Sequence, residues 1–174
     1  TFSNANSING THANTESLVL STAGAINING AIGNGTTLAT LTVTNSGGAS
    51  FTGAVTTGTS VVLTNTTGTI AFNGALITPT LTTAAQGYNL GLNATGTTIT
   101  NAVTFNNTGT LALGSALGTQ TYTGGLNAAG ATKPSMSTLK GTINTTDNVM
   151  SFGVITLGAD TTLNTNAATT AGDL

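Results

Sequence analysis

The stretch Ile28-Asn29-Gly30-Ala31-Ile32, INGAI, returns as FTGAV at residues 51–55 and as FNGAL at residues 72–76. A catalytic motif normally occurs once, whereas a pentapeptide that keeps coming back is a piece of architecture. Looser copies follow as ITNAV at 99–103, YTGGL at 122–126 and the shortened FGVI at 152–155. The third position of the pattern falls at Gly30, Gly53, Gly74, Asn101, Gly124 and Gly153, with successive gaps of 23, 21, 27, 23 and 29 residues. Periods of this length mark solenoids, propellers or arrays.

A second landmark precedes the first: Gly24, Gly48, Gly68, Gly96 and Gly118 each stand a few residues ahead of a copy. A further apolar strand follows most copies, as in LATLTV at 38–43 and VVL at 61–63. One unit therefore reads turn, short strand, glycine corner, short strand, turn, third strand. Propeller blades need about 40 residues, and no helical half of a leucine-rich repeat is visible. The pattern predicts an all-β parallel β-solenoid of about six or seven coils, stacked at roughly 4.8 Å. In this reading the glycine recurs because each coil turns the same corner with φ > 0, which glycine adopts freely and Asn101 tolerates.

Composition supports strands over helices or disorder. Thr (42), Ser (11), Asn (20) and Gly (24) make up more than half of the 174 residues. Charged residues are only 3% of the chain, against about 25% in ordinary domains. Disorder normally pairs low hydrophobicity with high net charge, but here 38% of residues are hydrophobic and the net charge is −2. With two lysines and no arginine, nucleic-acid binding has almost no electrostatic basis. No run approaches the roughly 18 apolar residues of a membrane-spanning helix. The absence of cysteine excludes a disulfide framework. A chain opening at Thr1 without Met is expected to be processed or a segment of something longer.

The wording of the units resembles the repetitive stems of large bacterial surface exoproteins, filamentous-haemagglutinin-like and autotransporter-like. AININGAIGNGTTLATLTV at 25–43, FTGAVTTGTSVVLT at 51–64 and GVITLGADTTLNT at 153–165 carry the likeness, which covers residues 17–165. It implies secretion to the cell surface, a right-handed β-helix, and a role in adhesion, matrix or filaments. These families share no active-site residues to carry over. The chain departs from them in being short and in lacking a recognisable secretion or anchoring domain.

Residues able to titrate or coordinate are few: His12, Glu16, Lys133, Lys140, Asp147, Asp160 and Asp173. His12 and Glu16 lie four apart in a stretch with no helical support, so they read as solvated surface and not as a metal pair. Asp147 and Asp160 could meet across coils as paired carboxylates, but the aromatic and basic residues that grip sugars are scarce. The expectation is no catalysis, no metal and no cofactor. Two alternatives are kept: a glycan-binding or glycan-processing β-helix, and an ice-binding solenoid. The second draws on the Thr-x-Thr pairs in LTVTN, TNTTGT, TPTLT and TYTGG, which do not recur at one fixed place in the unit.

The long 27- and 29-residue units predict loops on one face, and Lys133, Pro134 and Lys140 mark the expected protruding one. Stacked Asn and Thr side chains are expected to form hydrogen-bonded ladders along the coils. Neither end reads as a cap. The division is a polar segment at 1–17 able to donate a strand, a solenoid at 18–165, and a tail or continuation at 166–174. The expected partners are the chain itself, by head-to-tail stacking or strand donation, further coils of one longer chain, and surface glycans. Its place is extracellular, on the cell surface.

Overall fold

A computed structural model describes residues 7–167. The chain is a parallel β-solenoid of about seven turns, with no helix among the described residues and so none long and apolar enough to cross a membrane. The N-terminal layer contains β1 (Ser17–Ser21), and the first full coil contains β2 (Ile26–Ile28) and β3 (Leu38–Ser46). Next come β4 (Ala49–Phe51) with β5 (Val55–Thr66), then β6 (Thr69–Phe72), β7 (Leu76–Thr78) and β8 (Thr80–Thr83). The fourth coil holds β9 (Asn89–Leu92), β10 (Thr98–Ile99) and β11 (Val103–Thr104). The fifth holds β12 (Thr110–Leu113), β13 (Thr119–Tyr122) and β14 (Leu126–Ala128). Finally β15 (Met136–Thr145) and β16 (Met150–Phe152) form the sixth coil, and β17 (Ile155–Asn164) opens the last.

Parallel pairing arranges these strands in three ladders joined by three edges. The first ladder runs β2-β4-β6-β9-β12-β15-β17. The second begins with the Ile8–Ile32 and Ile32–Val55 bridges and continues through β7, β10, β13 and the second half of β15. The third runs β1-β3-β5-β8 and then β11-β14-β16. Between β8 and β11 side-chain bonds take over: the Thr83 hydroxyl accepts the Asn106 N–H at 2.7 Å and donates to Thr104 O at 3.2 Å.

Alternation along each strand explains why these segments extend. In β15 every second residue is buried, and Ser137, Leu139, Ile143 and Thr145 face inward while Thr138, Lys140, Thr142 and Asn144 face out. Thr, Val, Ile and Leu suit a pleated surface with one buried side. One inward column reads Ile28, Phe51, Phe72, Leu92, Leu113, Leu139 and Leu157, each in register with the next. Fully burying such a side chain contributes roughly 1.5–3 kcal/mol of transfer free energy. The strand spacing also dictates how the rings meet: Phe51 and Phe72 stack with centroids 4.8 Å apart at 12°.

Polar side chains repeat along the stack as well. Asn65 Nδ2 donates to Asn45 Oδ1 at 3.3 Å, and Asn93 Nδ2 to Asn73 Oδ1 at 3.0 Å. Inside, the Ser46 and Thr66 hydroxyls stand 2.8 Å apart and those of Thr57 and Thr78 2.7 Å apart. The expected Asn and Thr contacts are present as pairs between neighbouring coils, and the buried hydroxyl pairs satisfy groups that burial would otherwise leave costly.

Candidate functional site

All six repeat positions lie at bends between strands, but on three different edges. Pairing of Phe51 with Phe72 and Val55 with Leu76 places Gly30, Gly53 and Gly74 on one edge. Pairing of Ile99 with Tyr122 and Val103 with Leu126 places Asn101 and Gly124 on a second. Gly153 turns the third, after Phe152 pairs with Ala128 and before Ile155 pairs with Ser137. The sequence pattern thus joins segments that turn non-equivalent corners.

The conformational reason expected for these glycines is also corrected. None of the six positions has positive φ; of their immediate neighbours only Gly125 (φ 89°), next to Gly124, is left-handed. What excludes a side chain is the coil beneath. A Cβ built on Gly53 would stand 2.5 Å from Ala31 N, and one on Gly74 would overlap the Gly53 carbonyl carbon. One on Gly124 would overlap Ala102 N. Backbone stacks directly on backbone there, so the residue must lack a Cβ. Asn101 carries a side chain on the second edge, with its amide N–H on Pro79 O at 2.8 Å and its Nδ2 on Thr80 Oγ1 at 2.9 Å.

The structure divides the expected protruding loop. Lys133 is half-buried and its Nζ donates to Asn106 Oδ1 at 2.5 Å, while Pro134 is buried. Ser135 donates from N and Oγ to Gly109 O at 2.8 and 3.1 Å, which ties the segment onto the coil below. Lys140 belongs to no loop: it faces outward from β15, with its aliphatic stem beside Gly158. The loop expected in the 27-residue unit is likewise interrupted by strand, since β7, β8 and β9 run through it. Alternating burial in these segments overrides the turn-rich look of their composition.

At the N-terminal end a partial coil runs parallel along the first full one. Ile8 N–H donates to Ala31 O at 2.8 Å, and Ile8 O accepts the Gly33 N–H at 2.7 Å. Asn9 Oδ1 receives Gly35 N–H at 2.9 Å, Asn14 N–H reaches Thr37 O at 2.8 Å, and Thr37 Oγ1 donates to Asn14 Oδ1 at 2.6 Å. Residues 7–17, expected as part of a donating segment, are thus bound within their own chain; residues 1–6 of that segment lie outside the described residues. The first coil's core is covered, with Ile26, Ile28 and Ile32 at 7%, 1% and 0% exposure. At the other end Ile155 and Leu157 occupy the same inward columns as Ile26 and Ile28, yet are 41% and 64% exposed. Among the described residues β15 is the only strand partner of β17. Residues 165–167 turn back through an antiparallel Thr146–Asn166 bridge, and 168–174 of the expected tail lie outside the described residues. Sequence reasoning missed Ile155 and Leu157 as a surface, because GVITLG reads like every other core strand.

The titratable side chains do not converge. The Thr11 hydroxyl, at 2.5 Å, holds the Glu16 carboxyl below its ordinary pKa, with help from the His12 backbone N–H. His12 Nδ1 is 3.6 Å from the same carboxylate and its ring is solvent-exposed. Asp147 sits at the second edge, after the ladder strand that ends at Thr145, whereas Asp160 sits at the bend in β17 on the first edge. The 13-residue spacing therefore does not pair them. Burial pushes the Tyr88 hydroxyl up to about 12, and pushes Tyr122 up further still while its OH donates to Gln120 Oε1 at 2.8 Å.

On the third ladder the outward residues align. Ser17, Thr40, Ser60 and Thr80 form one row, and Val19, Thr42, Val62 and Thr82 a second. The Thr-x-Thr pairs at 42/44 and 80/82 share one face but are offset, with Thr42 in register with Thr82, and Thr121 lies on the second ladder, so such pairs occupy no one fixed place. The grid is uncharged and built of small side chains, but several hydroxyls are used within it. Thr64 Oγ1 donates to Thr44 O at 2.6 Å, and Thr40 Oγ1 lies 3.3 Å from Ser60 Oγ.

Compared with protein-family models, curated proteins and solved structures, the chain matches none of them.

Proposed function

We propose that the chain is a structural component of an extracellular filament, stem or surface adhesin, without catalysis or cofactor, whose work is to carry coils along one axis. One observation carries this reading: a single inward column continues in register from Ile28 to Leu157 along the rod. The Asn and Thr pairs and the glycine edge repeat the same axial logic, so apolar and polar chemistry alike serve stacking. Partners of that kind are other β-coils, in the same longer chain or in another copy, and surface glycans.

The test is immunogold electron microscopy on the source cells. Label along surface-attached fibres or stems is the expected result. Label confined to the cell interior would overturn the proposal.

The aligned Thr and Ser rows favour one second reading, a face that orders water as an ice-binding surface does. Ice grown in the protein's presence would then become faceted, and Thr42→Lys would abolish the effect. Ice growth indistinguishable from buffer removes that reading.

A further inference from the structure

We infer that the outward face of β11, β14 and β16 is a binding site for a neutral glycan. The inference rests on the surface-structure reading above and gives its expected glycan partner a place on the molecule. A groove of about 350 Å³ crosses this face over the fourth, fifth and sixth coils, near the lower end of the range for small-ligand sites. Two outward rows line it, one on each side of the paired, inward Val103, Leu126 and Met150. Ala102, Gly125 and Val149 stand one residue ahead of that inward row, and Thr104, Asn127 and Ser151 one residue after it. The first row is small and apolar, with Val149 60% exposed. The second presents two hydroxyls and a carboxamide, each one coil from the next, or about 4.8 Å.

The groove is shaped in advance of any ligand. Gly125 is left-handed (φ 89°), and a Cβ there would stand 2.8 Å from Val149 O, so the floor stays low. Asn127 Oδ1 accepts the Ala129 N–H at 3.0 Å, which fixes the carboxamide. Among the described residues Asn127 Nδ2 and the Thr104 and Ser151 hydroxyls have no hydrogen-bond partner. No ionisable side chain lines the groove, so a charged ligand would find no counter-charge. A purely apolar ligand would strip water from three polar side chains without replacing it. A peptide strand adds at a sheet edge, whereas here the backbone groups are spent inside the ladder and only side chains face out. A neutral glycan satisfies each condition: its hydroxyls pair with Thr104, Asn127 and Ser151 while its C–H face lies on Ala102, Gly125 and Val149. With no aromatic ring in the groove, one site binds weakly, at about millimolar concentration. A further coil beside β16 would lengthen both rows and leave the face open, because strands add in the plane of the sheet.

The test is nuclear magnetic resonance of the isotope-labelled chain, titrated separately with maltohexaose, cellohexaose and mannohexaose, and with a hyaluronan hexasaccharide as the anionic control. At least one neutral oligosaccharide should shift the amides of residues 102–104, 124–127 and 148–151 saturably, and hyaluronan should not. Asn127→Asp keeps an oxygen for the Ala129 N–H but replaces the outward donor by an anionic acceptor. It should leave the remaining spectrum unchanged and weaken binding about ten-fold or more. Thr104→Val, which removes one hydroxyl at nearly constant size, is an independent second variant and should weaken it about three-fold or more. No saturable shift with any of the three neutral oligosaccharides overturns the inference. So do shifts centred on another face, equal binding of hyaluronan, or unchanged affinity in both variants. A chain that labels surface fibres but binds none of these sugars would lose this site and keep the surface-structure proposal. Interior labelling of cells would sink that proposal and leave a measured affinity untouched.

Discussion

At the N-terminal end the first coil's isoleucines are covered and the preceding residues are stitched to it, whereas at the C-terminal end Ile155 and Leu157 face solvent in the very columns those isoleucines begin. The residue types at the two ends are alike, and so is the strand geometry. Among the described residues β2 and β17 each have a single strand partner, β4 and β15, so what differs is the exposure of the column residues. Burial in a solenoid is a property of having a neighbour on both sides, because each coil contacts only the coils adjacent to it. The same leucine can therefore be core or surface according to its place in the stack.

The largest expected effect contrasts two leucines in one column. Leu139→Ala removes a side chain buried between two coils and should cost about 3 kcal/mol in urea unfolding. Leu157→Ala, one layer on, should cost less than about 1 kcal/mol, since most of that side chain never left water. Equal losses would mean that the last coil is covered in solution and would erase the difference between the ends.

A middling effect is expected at the corners. Gly74→Ala forces a Cβ against the Gly53 backbone and should cost about 2 kcal/mol through overpacking. Gly153→Ala should stay within about 0.5 kcal/mol, because its Cβ would meet only Ala128 O, at 3.7 Å, and its φ is not left-handed. A thermal melt of each variant checks the pair.

The smallest effect concerns pH, and it has a different sign at each limit. Glu16 has a carboxyl pKa lowered from 4.5, so its contribution is present above that value and fades as pH falls through the lowered one. Because this carboxylate is exposed, acid should loosen only the 9–16 segment, seen as faster hydrogen exchange at the Asn14 amide. Tyr88 is raised from 10.0 to about 12, so its contribution is complete below 10.0 and is lost as pH rises through the higher value. Buried Tyr122 acts in the same direction. Between these limits the melting temperature should be flat, since few other groups titrate; a slope there would expose electrostatics that this chain does not otherwise show.

Much of the fold is legible before any coordinates. The recurrence of INGAI as FTGAV and FNGAL reports a true glycine edge, since those three copies do stack. ITNAV and YTGGL stack on each other but on another edge, and FGVI turns a third. The pattern is the same at all three because every edge poses the same local problem, a small residue between two inward apolar ones. Lys133 and Lys140 misled for a related reason. Charge and proline look like loop from composition, yet Lys140 needs only an outward position in β15, and Pro134 fits beneath the edge that Lys133 spans.

Local alternation and period are enough to establish strands, parallel coils, their approximate number and the Asn and Thr pairs between coils, because each depends on residues two apart or on one repeat length. Which segments stand over which, why Gly74 must lack a Cβ, and which column residues are exposed follow only from the assembled stack. Register is chosen by the sum of contacts between neighbouring coils, and exposure by the presence or absence of the next coil. Neither quantity is a property of any segment taken alone.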